Sequence, residues 1–233
     1  MKPASSTLPP SATSKGDLAK TRLLEAALKV FAEKNLEGAS VREIAKEAGQ
    51  NVASIFYYFE SKENLYLTLL RGGIHEIRKG IEEIISDLQQ KKKSLSYTPQ
   101  EAVEILKRAF RTALVDKMAN PKFDAIRRLI AREQMEPTPA FEVIYEEGLR
   151  EMHESVTRLV GIALDVDPKA PETILRTYTF FGQVLIFGIA RATILRRLGW
   201  KNLDNKRTEM ITRIIDENID ILCRELRKSK THK

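Results

Sequence analysis

The chain has 233 residues, with 39 lysines and arginines against 32 aspartates and glutamates, for a formal charge of +7. At 42% apolar and 30% charged residues, it is neither disordered nor fibrous in composition, and its length suits one large domain or two small ones. A single cysteine, Cys223, excludes a disulfide framework and a cysteine-based zinc site and fits a reducing compartment. The longest apolar run, Phe180 to Ala190, is interrupted by Gly182, Gln183 and Gly188 and falls short of the ~20 residues that a bilayer span needs. No membrane partner is expected. The polar start after Met1 lacks a signal-peptide core, so the expected location is the cytoplasm.

Residues 1–16 carry three of the nine prolines and almost no apolar content, which reads as a flexible arm. From Asp17 onward, segments with a period of 3.6 follow one another, separated by Pro, Gly, Ser or Asn. No stretch alternates in a strand pattern, so the chain reads as all-α, with about nine helices. Ser40-Val41-Arg42-Glu43 and Thr98-Pro99-Gln100-Glu101 read as capping boxes. Asn120-Pro121 and Thr138-Pro139 put a capping side chain before a proline at the first helical position. Breaks are expected at Gln89 to Ser94, at Asp165 to Ala170 and at Gly199.

The first seventy residues carry the chemistry. Leu23, Leu24, Ala27, Leu28 and Phe31 form the apolar stripe of a first helix. Val41, Ile44, Ala45 and Ala48 repeat at helical spacing, Gly49 supplies a tight turn, and Asn51 caps a third helix whose Ile55 and Phe59 point inward. Two short helices joined through such a turn form either a helix-turn-helix or an ordinary helical hairpin. The outer face of the third helix favours the former, because Ser54, Tyr57 and Tyr58 present hydroxyls suited to phosphate oxygens or base edges. Lys62 opens a fourth helix, where free backbone N–H groups and the positive dipole end already favour a phosphate. The head is only weakly basic, at +2 over residues 1–72, so specific contacts and dimerisation must supply much of any affinity.

Three segments, Thr21 to Phe31, Ser40 to Gly49 and Ile55 to Leu65, occur in order and at the right spacing to resemble the DNA-binding head of the TetR family of bacterial transcriptional repressors. The resemblance implies a homodimer with a reading head at 17–72 and a ligand-binding, dimerising body at 73–233. It places Arg42, Asn51, Ser54, Tyr57, Tyr58 and Lys62 at positions that commonly touch DNA, with Ser40 and Gln50 beside them. Asn51-Val52 departs from the small residue and lysine of many members, and Val52 cannot make that lysine's phosphate contact. Ala131 to Gln134, Pro137 to Phe141, Gly182 to Arg191 and Leu195 to Trp200 are similar to the CecR-like branch, which implies control of efflux or transport genes.

In the body, aromatic and polar residues mix on apolar faces. Phe110, Phe123, Phe141, Tyr145, Tyr178, Phe181 and Phe187 are candidates either for a cavity lining or for plain core. Gln183 lies in the most apolar helix, and Arg132 lies beside an apolar stripe, where a polar group needs a partner. Arg132, Phe141, Tyr145, Gln183 and Phe187 are the candidate contacts for a small-molecule inducer. The last helix, roughly Lys206 to Arg227, has an apolar face wide enough to cover its own domain and meet a partner. No cofactor, metal or catalytic residue is expected. His75, His153 and His232 are far apart, and no phosphate-loop or nucleophile motif occurs. The two function classes are thus a double-stranded DNA regulator released by a small molecule, and a helical-bundle enzyme or protein-binding adaptor.

Overall fold

A computed structural model of the chain describes residues 15–79, 82, 86, 97–112 and 123–231. Residues 1–14 of the expected arm at 1–16, the break at Gln89 to Ser94, the start at Asn120-Pro121 and His232 lie outside the described residues, as does most of 80–88; Lys15 and Gly16, expected in the arm, instead open the first helix. Among the described residues there is no strand. The helices are α1 (Lys15–Gly38), α2 (Val41–Glu47), α3 (Val52–Phe59), α4 (Lys62–Lys79), α5 (Pro99–Phe110), α6 (Asp124–Met135) and α7 (Pro139–Ile144). After a π-helical turn (Tyr145–Leu149) come α8 (Arg150–Leu164), α9 (Pro171–Ile189), α10 (Arg191–Leu198) and α11 (Asn205–Thr231). The all-α expectation holds. The division is finer than about nine because the stretch 139–164 is broken by the π-helical turn and because α9 and α10 meet at a 69° bend.

Two compact units form, Met1–Leu69 and Leu70–Lys233. In the first, Leu23, Ala27 and Phe31 of α1 are fully buried together with Ile44, Ile55 and Leu65. Phe31 meets the Tyr66 ring edge-to-face at 5.0 Å. Polar ends are tied locally. Ser40 Oγ accepts from Glu43 N–H at 3.2 Å, capping α2, while the Glu43 carboxylate turns to Lys34 Nζ at 2.5 Å on α1 and so leaves the capping box half formed. The first helix is kinked three residues before Gly38: Asn35 adopts φ 63° and its Oδ1 accepts from Gly38 N–H at 2.8 Å. Asn tolerates positive φ better than most residues.

In the second unit, α8 carries Met152, Val156, Leu159, Val160, Ala163 and Leu164 into the core, where α5 contributes Val103, Leu106 and Phe110. The expected capping box at Thr98 is complete, with Thr98 N–H donating to Glu101 Oε2 at 2.7 Å and Glu101 N–H to Thr98 Oγ1 at 3.2 Å. Thr138 caps α7 ahead of Pro139. The face of α11 divides: Ile211, Ile215, Ile219 and Cys223 are buried, while Met210, Ile214, Ile221 and Leu222 remain open. Burial pushes the Cys223 thiol up to about 11, which keeps it protonated and unreactive at neutral pH. No single described helix is long and apolar enough to cross a membrane; α9 and α10 reach that length and composition only as a bent pair.

Candidate nucleic-acid interface and body pocket

Helix α3 begins at Asn51, whose extended backbone (φ −88°, ψ 160°) frees its side chain to cap. Its Oδ1 accepts from Ser54 N–H at 2.8 Å and from Ser54 Oγ at 2.9 Å. Ser54 therefore has its one hydroxyl hydrogen committed to the cap, and its oxygen is left to accept. This geometry suits a donor such as a base amino group better than a phosphate. Before the helix, Gly49 takes φ +62°, and Gln50 N–H closes the turn on Ala45 C=O at 2.9 Å. A left-handed residue is what lets α2 stop and the chain turn into α3.

At about 100° per residue, the buried Ile55 and Phe59 share one side of α3, and Tyr57 stands on the opposite side. Tyr57 is 82% exposed, and its ring meets Tyr58 edge-to-face at 4.9 Å. Arg42 is exposed on the first turn of α2, and Ser40 is exposed at its cap. Two neighbours of Tyr57 were not among the sequence candidates: Ala53, exposed one turn earlier, and Phe56, an aromatic 49% exposed. The helical spacing 53–57 marks Ala53 in the sequence; nothing local marks Phe56, which an apolar count assigns to core. Lys62, expected to greet a phosphate, donates from Nζ to Ala39 C=O at 3.1 Å. An ammonium has three hydrogens, so this bond fixes its position and leaves two for an anion.

In the body, Phe141 and Tyr145 stack with centroids 5.9 Å apart. Arg132 is half-buried on α6, and its neighbour Glu133 is 1% exposed. The Glu133 carboxylate accepts from Thr138 N–H and Oγ1 at 3.1 and 2.9 Å. Gln183 and Phe187 are half-buried on α9, and the Gln183 Oε1 atom is buried without a hydrogen-bond partner, a costly condition that a ligand donor would relieve. Phe110 and Phe181 are core, packed edge-to-face at 5.6 Å. His153 joins them unannounced by sequence: its ring lies 5.0 Å from Phe181, and Nδ1 sits 3.3 Å from Tyr178 OH. Burial holds the His153 imidazole below its ordinary pKa and the Tyr178 phenol above its own, so both stay neutral near pH 7. One open cleft of about 1220 Å³ is lined by Tyr97, Arg158, Asp165, Thr173, Arg176 and Leu226 among others, none of them among the five candidate ligand contacts.

Comparison with known proteins bears on both units. The model of bacterial regulatory proteins of the tetR family matches residues 23–69. The model of the C-terminal domain of the HTH-type transcriptional dual regulator CecR matches residues 102–226. The CecR dual regulator of Shigella flexneri is 34% identical over 221 residues, covering 93% of this chain and 96% of its own length. The HTH-type transcriptional repressor KstR2 of Rhodococcus jostii is 33% identical over 88 residues, covering 36% of this chain and 43% of its own. Two solved structures share the fold at lower identity. AibR in complex with isovaleryl coenzyme A and operator DNA has a TM-score of 0.60 at 16% identity over 85% of this chain and 96% of its own. AmtR of Mycobacterium smegmatis has a TM-score of 0.60 at 17% identity over 90% and 88%.

Proposed function

The chain belongs to the TetR family of DNA-binding transcriptional regulators, a class distinct from enzymes, and we propose that it works as a homodimeric repressor released from a palindromic operator by a small molecule. The observation that carries the reading is Tyr57, 82% exposed and opposite the buried side of a capped eight-residue helix that follows a left-handed glycine turn. Such a helix enters a major groove with its first turns toward base edges. We assign the reading surface to Arg42, Gln50, Asn51, Ser54, Tyr57 and Tyr58, with Ser40 and Lys62 fixing the ends of α2 and α4. DNA binding belongs to 17–72, and ligand binding and dimerisation to 73–233.

The second copy fits the outer face of α9 and α11. Ile174, Leu175, Tyr178, Leu185, Ile186 and Ile189 fall on one side of α9, with Leu175 67% and Ile189 77% exposed. Gly182 is exposed at the middle of that side and would leave a Cβ in open space, so another helix can approach closely. Exposed Met210, Ile214, Ile221 and Leu222 continue the apolar surface on α11. A contiguous apolar patch of this kind marks a protein interface, and two-fold symmetry would present two heads to two half-sites. Cytoplasmic location and a drug-sized, partly aromatic inducer carrying an acceptor or anionic group, met by Arg132, Phe141, Tyr145, Gln183 and Phe187, complete the reading. Its targets include efflux or transport genes. Activation at some promoters is a second output, favoured because the Shigella relative is named a dual regulator.

Selecting duplexes from a random pool tests the core of this reading. The parent protein should enrich a two-fold symmetric sequence and bind it with an affinity that falls log-linearly as salt rises. Tyr57→Ala should weaken binding by about 1–3 kcal/mol with the dimer intact. Retention of no duplex at low salt would overturn the repressor reading, and normal binding by Tyr57→Ala would move the reading surface elsewhere.

A further inference from the structure

The first turn of α3 offers few polar atoms to a groove. After the cap Asn51 it holds Val52, Ala53 and Ser54, with no charged side chain among them. A recognition helix meets base edges with its N-terminal residues, so the polarity of Ser54 weighs heavily there. An unconstrained serine hydroxyl has one hydrogen and two lone pairs and serves a donor or an acceptor equally. Here Asn51 settles the choice.

Asn51 Oδ1 accepts from Ser54 N–H at 2.8 Å and from Ser54 Oγ at 2.9 Å. A backbone N–H only donates, which fixes the Asn51 amide with its oxygen, not its nitrogen, toward Ser54. That oxygen carries no hydrogen, so the bond to Oγ uses the serine's own. Only lone pairs remain on Ser54 Oγ. The side chain is half-buried and stands about 60° round the helix from Tyr57, so both address the same groove. Phosphate oxygens, guanine O6 and N7, adenine N7 and thymine O4 have no hydrogen to give to such a group. The donors on the floor of a major groove are the adenine N6 and cytosine N4 amino groups.

We propose that Asn51 is a positioning residue that makes Ser54 an obligate acceptor, and that Ser54 thereby selects an exocyclic amino group at one position of each half-site. The oxygen that starts the helix also sets what the helix reads. Without the Asn51 carbonyl the Ser54 hydrogen is released, and the position then takes guanine or thymine as readily. Loss of Asn51 therefore broadens the sequence preference, which a cap with a purely structural role would not do. The inference rests on the regulator reading and adds its specificity-determining pair.

The full-length protein carries the test. The duplex that the parent selects from a random pool is rebuilt with single amino groups deleted, purine replacing each adenine and 2-pyrimidinone replacing each cytosine in turn. At one position of the half-site the deletion should weaken parent binding about threefold to tenfold, the worth of one hydrogen bond; which analogue acts tells adenine from cytosine. Ser54→Ala keeps the cap bond from its backbone N–H and should bind the intact and deleted duplexes alike. Asn51→Gly, a change that helix caps tolerate well, should fold as the parent does, lose most of that ratio and enrich guanine or thymine at the same position. Asn51→Asp keeps the accepting oxygen and should keep the ratio, with weaker binding overall from repulsion by phosphates. A parent indifferent to every amino deletion would overturn the proposal. So would a Ser54→Ala loss shared equally by all sequences, the mark of a phosphate contact, or an Asn51→Gly protein with an unchanged ratio. Should the glycine variant fail to fold, Ser54→Ala and Asn51→Asp still decide, since retention of the ratio by aspartate and its loss by alanine are both required. A parent that selects no duplex removes the regulator reading and this inference with it, whereas a selected duplex without amino dependence overturns the inference alone.

Discussion

In the unit Met1–Leu69, most of the polar contacts that shape the reading surface join near neighbours, Ser40 with Glu43, Asn51 with Ser54 and Ser61 with Asn64, with Lys62 to the Ala39 carbonyl as the long-range exception. In the unit Leu70–Lys233, many of the defining contacts join distant residues: Arg71 with Glu147, Lys107 with Asp220, Arg111 with Asp216, Arg191 with Asp124. On the proposed function, the difference follows from the task of each unit. A surface that reads DNA needs short helices with fixed ends, and a helix end is fixed by groups three residues apart. A body that answers a ligand needs long helices that can be held or released by partners on other helices, and such partners lie wherever the fold brings them.

The largest test of this contrast is Ile55→Ala. The side chain is fully buried on the inner face of α3, and removing it should cost about 2–5 kcal/mol. Amide exchange should report the loss in α1 to α3, and operator binding should fall with it even though no DNA-facing atom has changed. Normal protection in α3 would mean that local caps, not the apolar face, hold the reading helix.

The same contrast explains which features are legible in the sequence. Gly49, Asn51 and the inward Ile55 and Phe59 announce the helix-turn-helix because cap, turn and helical period all lie within a few residues. Thr98-Pro99 and Thr138-Pro139 are legible for the same reason. The Asn35 kink is not: no local pattern announces it, and the chain bends where an Asn side chain captures the Gly38 N–H. Nor is the Arg71–Glu147 pair legible, since the two are 76 positions apart and each looks like an ordinary solvated charge. Among the pocket candidates, Phe141 and Tyr145 are legible as a pair one helical turn apart, and the fold stacks them; Gln183 and Phe187 share that spacing. The unpartnered Gln183 Oε1 depends on the packing around α9, which no local pattern specifies.

A smaller effect sharpens the turn itself. Gly49 has φ +62° and nothing within 4 Å of where a Cβ would stand, so a substitution meets no neighbour and isolates the backbone. Gly49→Val should destabilise the head by about 1–2 kcal/mol or somewhat more, the cost of a left-handed residue increased by β-branching. The measurement is thermal or denaturant stability together with operator affinity. Full stability and binding would place the turn's strain elsewhere.

The smallest expected effect separates a distant contact from a local one by pH. The Arg71 guanidinium, hydrogen-bonded to Glu147, holds that carboxyl below the ordinary carboxylate value, outweighing the small opposing effect of burial. A carboxyl depressed in the folded state contributes stability above its unfolded pKa, and that contribution is lost as pH falls through the folded value. Both side chains are 48% exposed, so solvent screening limits the pair to about 0.2–1 kcal/mol. Amide protection of residues 70–79 should therefore be flat from pH 7 down to about 5 and should fall below about pH 4. Arg71→Met should remove most of that acid-dependent part while leaving protection in α2 and α3 as it was. An acid profile for 70–79 that Arg71→Met does not alter would assign the acid-dependent part to the Arg78–Glu151 pair, and the hold of Glu147 on α4 would then rest on its backbone carbonyl bond to Arg78 and on packing at Gly73 and Gly148 rather than on its charge.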